Sequence, residues 1–378
     1  MEKRYLFTPG PTPVPPEVLA ASAEPIVHHR GADFRDVYAR TLARLKDVFR
    51  TSADVLLFTA SGTGAMESAP ANLCEPGERV AVVVHGSFGE RWVAICRQHG
   101  LDVHAIEYEW GERPDPDEVG SAVRESGASI VLCQQSDTST GVVSDVHAIK
   151  EAVGGATLVV DAISSLGAVP LETDEWGIDV VVSGSQKALM APPGLAMISV
   201  PERVLARAKP SRSFYFDWAR NKKAQDALDA AFTPAVSLIK SLDVALGLVL
   251  ENGLEAAFAR HVRLGRATRA GIKAMGLELF SPDDDTAAVV TAIRSPEGVD
   301  GDDLLRHLRD RHGVTLAPGQ GALKGKIFRI GHIGWFDVFD IASALAAVEL
   351  SLTELGADIE RGVAVPAAFE AFESPVTA

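Results

Sequence analysis

Short runs of apolar residues recur along the first half of the chain, at 55–59, 80–84, 103–106, 130–133, 157–160, 180–182 and 195–200. They are rich in Val, Leu and Ile and mostly lack polar alternation, the pattern of strands buried on both faces. Stretches with helical spacing near 64–73, 88–99, 115–126 and 144–153 separate most of them. Repeated β-α-β order predicts an α/β fold, a parallel or mostly parallel sheet with helices on both faces. The runs at 180–182 and 195–200 are joined by a loop containing Pro192-Pro193-Gly194 instead of a helix. A strand reached by so short a connection is expected to be antiparallel.

The flanks read differently. Pro9, Pro11, Pro13, Pro15 and Pro16 make residues 5–16 extended. Phe34, Val37, Leu42, Leu45, Val48 and Phe49 give 33–50 helical spacing. From about 235 the pattern predicts a long helix over 235–262 with a break point at Asn252-Gly253, then a helix near 262–275. A strand near 287–293, a helix at 301–311, a strand near 326–331 and a helix at 337–354 follow. Residues 359–378 carry no period and read as a docked or frayed tail. The expected division is an arm at 1–16, a large domain at 17–252 with a seven-stranded sheet, a small C-terminal α+β domain at 253–358, and the tail.

Composition narrows the classes. At 47% hydrophobic and 23% charged the chain is ordinary globular protein, and a net charge of −15 argues against nucleic acid or an anionic membrane surface as partner. No apolar run approaches the ~18 residues of a membrane span, and no signal-peptide core is visible at the start. Cys74, Cys96 and Cys133 form no CxxC and read as buried free thiols in a reducing compartment, so the cytoplasm is the expected location. His28, His29, His85 and His147 lack metal-ligand spacing, and no metal is expected.

Candidate chemistry sits at the strand ends. Asp161 closes the run at 157–160, and Lys187 follows the run at 180–182 through Ser183-Gly184-Ser185-Gln186. In a parallel sheet both ends lie on the rim where ligands of open α/β sheets bind. A lysine amine that can condense with an aldehyde, beside a carboxylate that can partner a ring nitrogen, is what pyridoxal phosphate chemistry requires. Ser61-Gly62-Thr63-Gly64-Ala65-Met66-Glu67 follows a strand and opens a helix, either as a phosphate site or as a plain cap and turn. Phe88, in His85-Gly86-Ser87-Phe88-Gly89-Glu90-Arg91-Trp92, can stack on a flat ring or simply pack a helix start. The hydroxyls of Ser136-Asp137-Thr138-Ser139-Thr140 can bond a ligand oxygen or cap the next helix. Arg329 is a charge inside an apolar strand, and a substrate carboxylate or a structural acid would satisfy it.

Read in chain order, these residues resemble the class V, fold-type-I pyridoxal phosphate aminotransferases, and within them the alanine/serine–glyoxylate (serine–pyruvate) branch. The resemblance runs from Thr8-Pro9-Gly10-Pro11-Thr12 through Ser61–Glu67, Gly86–Trp92, Ser139-Thr140-Gly141 and Asp161-Ala162-Ile163-Ser164-Ser165. It continues through Gly184-Ser185-Gln186-Lys187-Ala188-Leu189-Met190-Ala191-Pro192-Pro193-Gly194 and Thr233-Pro234-Ala235-Val236 to Arg329-Ile330-Gly331.

The resemblance implies transamination of alanine or serine with glyoxylate or pyruvate by a ping-pong cycle. Lys187 would hold pyridoxal 5'-phosphate covalently and carry the proton, and Asp161 would keep the ring nitrogen protonated. Phe88 would stack on the ring, with Thr138 beside the ring hydroxyl. Thr63, Gly64, Ala65 and Gln186 would bind the phosphate. Arg329 would clamp the α-carboxylate, and Gly10 would line the substrate pocket. The implied assembly is a homodimer with active sites at the subunit interface, where Thr233 reaches the neighbour's phosphate.

Two departures leave the substrate open. Gln135 and Asp137 stand where many relatives have His and Glu, and Ala230 stands where some have Tyr. Ureidoglycine–glyoxylate or aspartate transamination is the alternative, although a dicarboxylate donor needs a second cation in the pocket and none stands out in the sequence. A cysteine desulfurase would need a cysteine beyond Cys133, and a non-catalytic relative would be expected to lose Lys187 or Asp161.

Overall fold

The computed structural model describes residues 3–376. Seven strands make the main sheet: β1 (Asp54–Thr59), β2 (Arg79–Val84), β3 (Asp102–Glu107), β4 (Ile130–Gln134), β5 (Thr157–Asp161), β6 (Val180–Gly184) and β7 (Leu195–Val200). Their order is β1-β7-β6-β5-β4-β2-β3. Only β7 runs against its neighbours, as its short connection predicts. Hydrogen bonds close that connection. Ser185 N donates to Leu195 O at 3.0 Å, and Ser185 Oγ donates to Pro192 O at 2.6 Å.

The continuous apolar runs follow from covering both faces. Ala81, Val83, Val131, Leu158 and Val160 pack with helices α1 (Ala32–Phe49), α4 (Pro116–Ser126), α5 (Val146–Val153) and α6 (Val236–Leu250). Val80, Val82, Leu132, Val159 and Val182 face the other way, against α2 (Gly62–Leu73) and α3 (Ser87–Gln98). At roughly 25 cal/mol per Å² of buried apolar surface, such a two-sided core is the main favourable term in folding.

A second layer follows: α7 (Leu254–Ala274), β8 (Val290–Arg294), α8 (Gly301–His312), β9 (Ala317–Pro318), β10 (Ile327–Gly331), α9 (Val338–Glu354) and α10 (Ala364–Glu373). The three strands pair antiparallel in the order β8-β10-β9. Their core holds Phe7, Leu264, Ile272, Phe328, Ile330, Leu345 and Val348. Tyr5–Leu6 pairs in parallel with Val314–Thr315, which clips the proline-rich arm to this layer.

The structure corrects several element boundaries. The expected helix break occurs, with Gly253 at φ +81 between α6 and α7, but α7 then runs unbroken through 262. The tail carries the helix α10, whose Ala364 and Ala368 are buried in the second layer's core. Close approach of α10 to α7 is possible because Gly271 has no Cβ, which would stand 2.9 Å from Ala364 O. Helices at Pro16–Ser22, Glu202–Leu205 and Trp218–Asp226 were not expected from periodicity. Cys74, Cys96 and Cys133 are free and buried. Among the described residues no helix is long and apolar enough to cross a membrane.

Asp179 fixes the β5/β6 pair at the end away from the ligand rim. It accepts from Lys150 Nζ at 2.6 Å and from Leu158 N at 2.9 Å, and it also pairs with Arg203. Burial pushes its carboxyl up, but the bonds from Lys150 and Leu158 outweigh that and hold it below the usual carboxylate value. Asp179→Ala should lower the unfolding free energy by roughly 2–4 kcal/mol in denaturant titrations at neutral pH. Because the folded pKa is depressed, the wild-type advantage should shrink as pH falls through the carboxylate range.

Candidate active site

The parallel ladder Val159↔Val180, Val160↔Val181 and Asp161↔Val182 brings Asp161 beside the end of β6, and Lys187 lies three residues past Gly184. Both are buried. Asp161 Oδ1 accepts from Ile163 N at 2.8 Å. Lys187 Nζ donates to the Pro9 carbonyl at 2.9 Å, so the arm reaches the amine. Thr12 seals this contact by donating Oγ1 to Lys187 O at 3.1 Å and N to Gln186 O at 3.2 Å. Gly10 is required there. A Cβ on it would stand 2.4 Å from Lys187 Nζ, and its φ is +149.

Neighbouring strand ends supply the walls. Beyond β4 a small hairpin, Ser136–Asp137 with Val142–Val143, presents Thr138, Ser139 and Thr140, all buried. Asp137 ties this hairpin to α3, accepting from Phe88 N at 3.0 Å and from Ser139 N at 2.9 Å. His85 bonds Ser144 Oγ at 3.0 Å, and burial pushes its pKa down. Gln135 turns away and donates to Pro170 O at 2.8 Å. At the end of β1, α2 opens with Ser61 as N-cap, yet no side chain caps it. Its first-turn amides therefore face the rim without a side-chain acceptor. Thr63, Gly64 and Ala65 lie in that first turn. Gly64 N is already bonded to Ser61 O at 2.8 Å, and Ala65 is buried in the sheet-facing core. Gln186 Oε1 is buried without a partner, and a Cβ on Gly184 would sit 3.1 Å from it.

Arg329 comes from β10 in the second layer. Its Nε and Nη2 donate to Pro318 O at 2.9 and 2.7 Å, and Nη1 donates to Thr138 O. The partner that sequence reasoning sought is thus main chain rather than an acid, which leaves the charge without a counter-ion. Thr233 lies apart from this group. It is exposed beside Ile26 and His28 in a surface cavity of about 500 Å³, and no side-chain hydrogen bond joins it to the other residues. Ala230 N bonds the Asp229 carboxylate. Sequence reasoning assigned no role to Arg91, Pro9 or Thr12. Arg91 stands three residues after Phe88, on the same helix face, and that spacing was the available signal.

Desolvation sets the electrostatics. Burial raises the Asp161 carboxyl to about 7, although the Ile163 amide and the Lys187 charge oppose it. Burial and the Arg329 charge lower the Lys187 amine to about 8. Burial also lowers Arg329 to about 10. Lys187, Arg329 and Arg91 thus face the carboxylates Asp161 and Asp137, a cation excess suited to anionic ligands. An amine with a pKa of about 8 can act both as nucleophile and as proton carrier.

A family model described as "Aminotransferase class-V" matches residues 4–331. The chain is 41% identical to a Synechococcus sp. protein named "Soluble hydrogenase, small subunit", with 94% of each chain covered. It is 35% identical to the serine–glyoxylate aminotransferase of Methylorubrum extorquens, over 97% of this chain and 95% of that protein. The solved ureidoglycine–glyoxylate aminotransferase of Bacillus subtilis superposes with a TM-score of 0.93 at 33% identity, covering 99% of each chain.

Asp161 has a folded pKa raised above its unfolded value, so its contribution to stability falls as pH rises from about 4 to about 7. In the cofactor-free protein, the melting temperature of Asp161→Asn relative to wild type should therefore rise across that window and level off above it. A difference that stays flat with pH would mean that the carboxyl is not held protonated by burial.

Proposed function

As this chain belongs to the class-V aminotransferase family, we propose that it moves an amino group from alanine or serine to glyoxylate or pyruvate, using pyridoxal 5'-phosphate held at Lys187. The observation that carries this reading is the pair of buried groups on adjacent parallel strand ends, Asp161 and Lys187, with Arg329 as the cation opposite. The chain's own features fit the cofactor. The first turn of α2 is uncapped, the Gln186 amide oxygen is unpaired, and Gly10 leaves room against the lysine that any Cβ would take. The residues that would hold the cofactor are Lys187, Asp161, Phe88, Thr138, Thr63, Gly64, Ala65 and Gln186.

When bound, the cofactor supplies an aldehyde that accepts the amino group and a ring that accepts the electron pair left when a Cα proton departs. Lys187 Nζ, partly neutral near pH 8, would take that proton from the donor Cα and hold it as the ammonium until it is returned, across the bridging nitrogen, at the carbon that was the cofactor's aldehyde. Asp161, once ionised, would hold a positive charge on the ring nitrogen of the bound cofactor, and its buried site would make that attraction strong. Arg329 grips the α-carboxylate and fixes which Cα bond faces the lysine. The main-chain carbonyls of Pro318 and Thr138 keep its guanidinium in place. Pro9 O steadies the Lys187 amine before the substrate arrives.

The reading extends to a cytoplasmic homodimer in which Thr233 serves the partner's phosphate site. Supporting it, Thr233 is exposed, adjoins the 71%-exposed Ile26, and shares no side-chain hydrogen bond with its own chain's site. The division into 1–16, 17–252 and 253–358 is proposed on the separate apolar cores of the two layers, with the 359–378 tail assigned to the second. The hydrogenase name belongs to that relative. The lysine, aspartate and arginine here carry the transamination reading.

Purified protein supplied with pyridoxal phosphate should show an absorbance change when alanine or serine is added, reversed by glyoxylate or pyruvate. No response to any amino acid would sink the assignment. Lys187→Ala should abolish turnover. Arg329→Ala should raise KM for carboxylate-bearing donors by about tenfold to a hundredfold while sparing amines that lack a carboxylate. Equal loss for both classes would remove the clamp.

A further inference from the structure

Arg91 is an unmatched cation inside the site. It projects from the first half of α3, one turn after Phe88, and is half-buried. Its guanidinium carbon lies 4.6 Å from the centroid of the Phe88 ring. Nη1 donates to Thr63 Oγ1 at 3.2 Å, the side-chain hydrogen bond that Arg91 makes, and no ion pair involves it among the described residues. Four of the five guanidinium N–H donors are left over. Half-buried guanidinium donors that lack an acceptor are costly unless water or a ligand supplies one.

The surroundings specify that ligand. Thr63 stands in the first turn of a 12-residue helix whose N-cap, Ser61, makes no side-chain cap bond. The amides there and the helix dipole favour negative charge. Gln186 adjoins that turn through Gly184: a Cβ added there would stand 3.4 Å from Gly62 N and 3.1 Å from Gln186 Oε1, an oxygen buried without a partner. Amide oxygen and nitrogen are interchangeable by a flip, so its NH2 can face the same point. Thr63 thus joins the guanidinium to the opening turn of α2, and Gly184 joins that turn to the Gln186 amide, with no ion pair to Arg91 among the described residues. That donor set matches a phosphate ester with its three oxygens and nearly two charges. A substrate carboxylate is served elsewhere, by Arg329, whose guanidinium is held at Thr138 and Pro318.

We propose that Arg91 is a binding residue for the phosphate group of the cofactor, closing a cup formed by the first turn of α2 and Gln186. The proposal rests on the cofactor assignment above and adds a residue to it. Holding the phosphate through Arg91 also ties the cofactor to the helix that carries Phe88, so ring stacking and phosphate binding move together.

The test is equilibrium binding followed by ligand fluorescence, comparing pyridoxal phosphate with pyridoxal, which lacks the phosphate. Arg91→Gln should weaken pyridoxal phosphate by about tenfold or more and leave pyridoxal unchanged. Arg91→Lys should recover much of the loss. Arg97→Gln, exposed in the last turn of the same helix, should bind both ligands like wild type. Should Arg91→Gln not fold, Arg91→Met gives the same reading. The proposal is overturned if the charge-free variant keeps wild-type affinity for pyridoxal phosphate, or loses both ligands equally. It is also overturned if cofactor affinity holds and only KM for a dicarboxylate donor rises, which would make Arg91 a substrate-side cation. Failure of wild type itself to bind pyridoxal phosphate would instead defeat the underlying functional reading.

Discussion

Everything at the ligand rim depends on one parallel ladder, the pairing of residues 159–161 with 180–182. Strand register is discrete, and a slip of one residue would turn every side chain to the opposite face. Valines packed on both sides of the sheet forbid such a slip, because Val159 and Val160 belong to different apolar cores. The acid and the amine are therefore placed by hydrophobic packing some residues away rather than by attraction for each other. No direct ion pair forms between them, and each keeps its unfavourable desolvation until a ligand brings compensating charge.

The second layer reaches the same rim by different means. Arg329 spans from β10 to the hairpin after β4, using main-chain carbonyls at both ends. Carbonyl oxygens orient a guanidinium without neutralising it, so its charge remains available. The arm does something similar for Lys187, where Pro9 O accepts from the amine. Both cations are steered by dipoles and left without a counter-ion, which is how a protein stores affinity for anions without binding its own acids.

Legibility in the sequence followed the range of the interaction. The β-α-β order, the reversed β7 and the positions of Asp161 and Lys187 were legible because each is local: an apolar run, a loop length, a strand end. The break at Gly253 was legible from one residue, whereas the merging of 254–274 into a single helix was not, since periodicity alone does not say where two helical stretches join. The α10 helix was invisible because its apolar face is mainly small alanines, given meaning only by the partner helix around Gly271. The carbonyl partners of Arg329 could not be read, because backbone carbonyls leave no mark in a sequence. Arg91 was in plain view, but its significance needed Thr63, which arrives from another strand end.

The arm has a consequence for how the protein is made. Residues 5 and 6 pair with 314 and 315, and Gly331 N donates to Phe7 O. Residues 5–7 wait until 314–331 have been synthesised before they find these partners, and such remote contacts form late and slowly. Until then Lys187 lacks the Pro9 carbonyl that steadies it. The large sheet has its own apolar cores, yet the Lys187 amine meets its main-chain acceptor only when the arm docks on the second layer, which couples the setting of that amine to the folding of a layer encoded well after it.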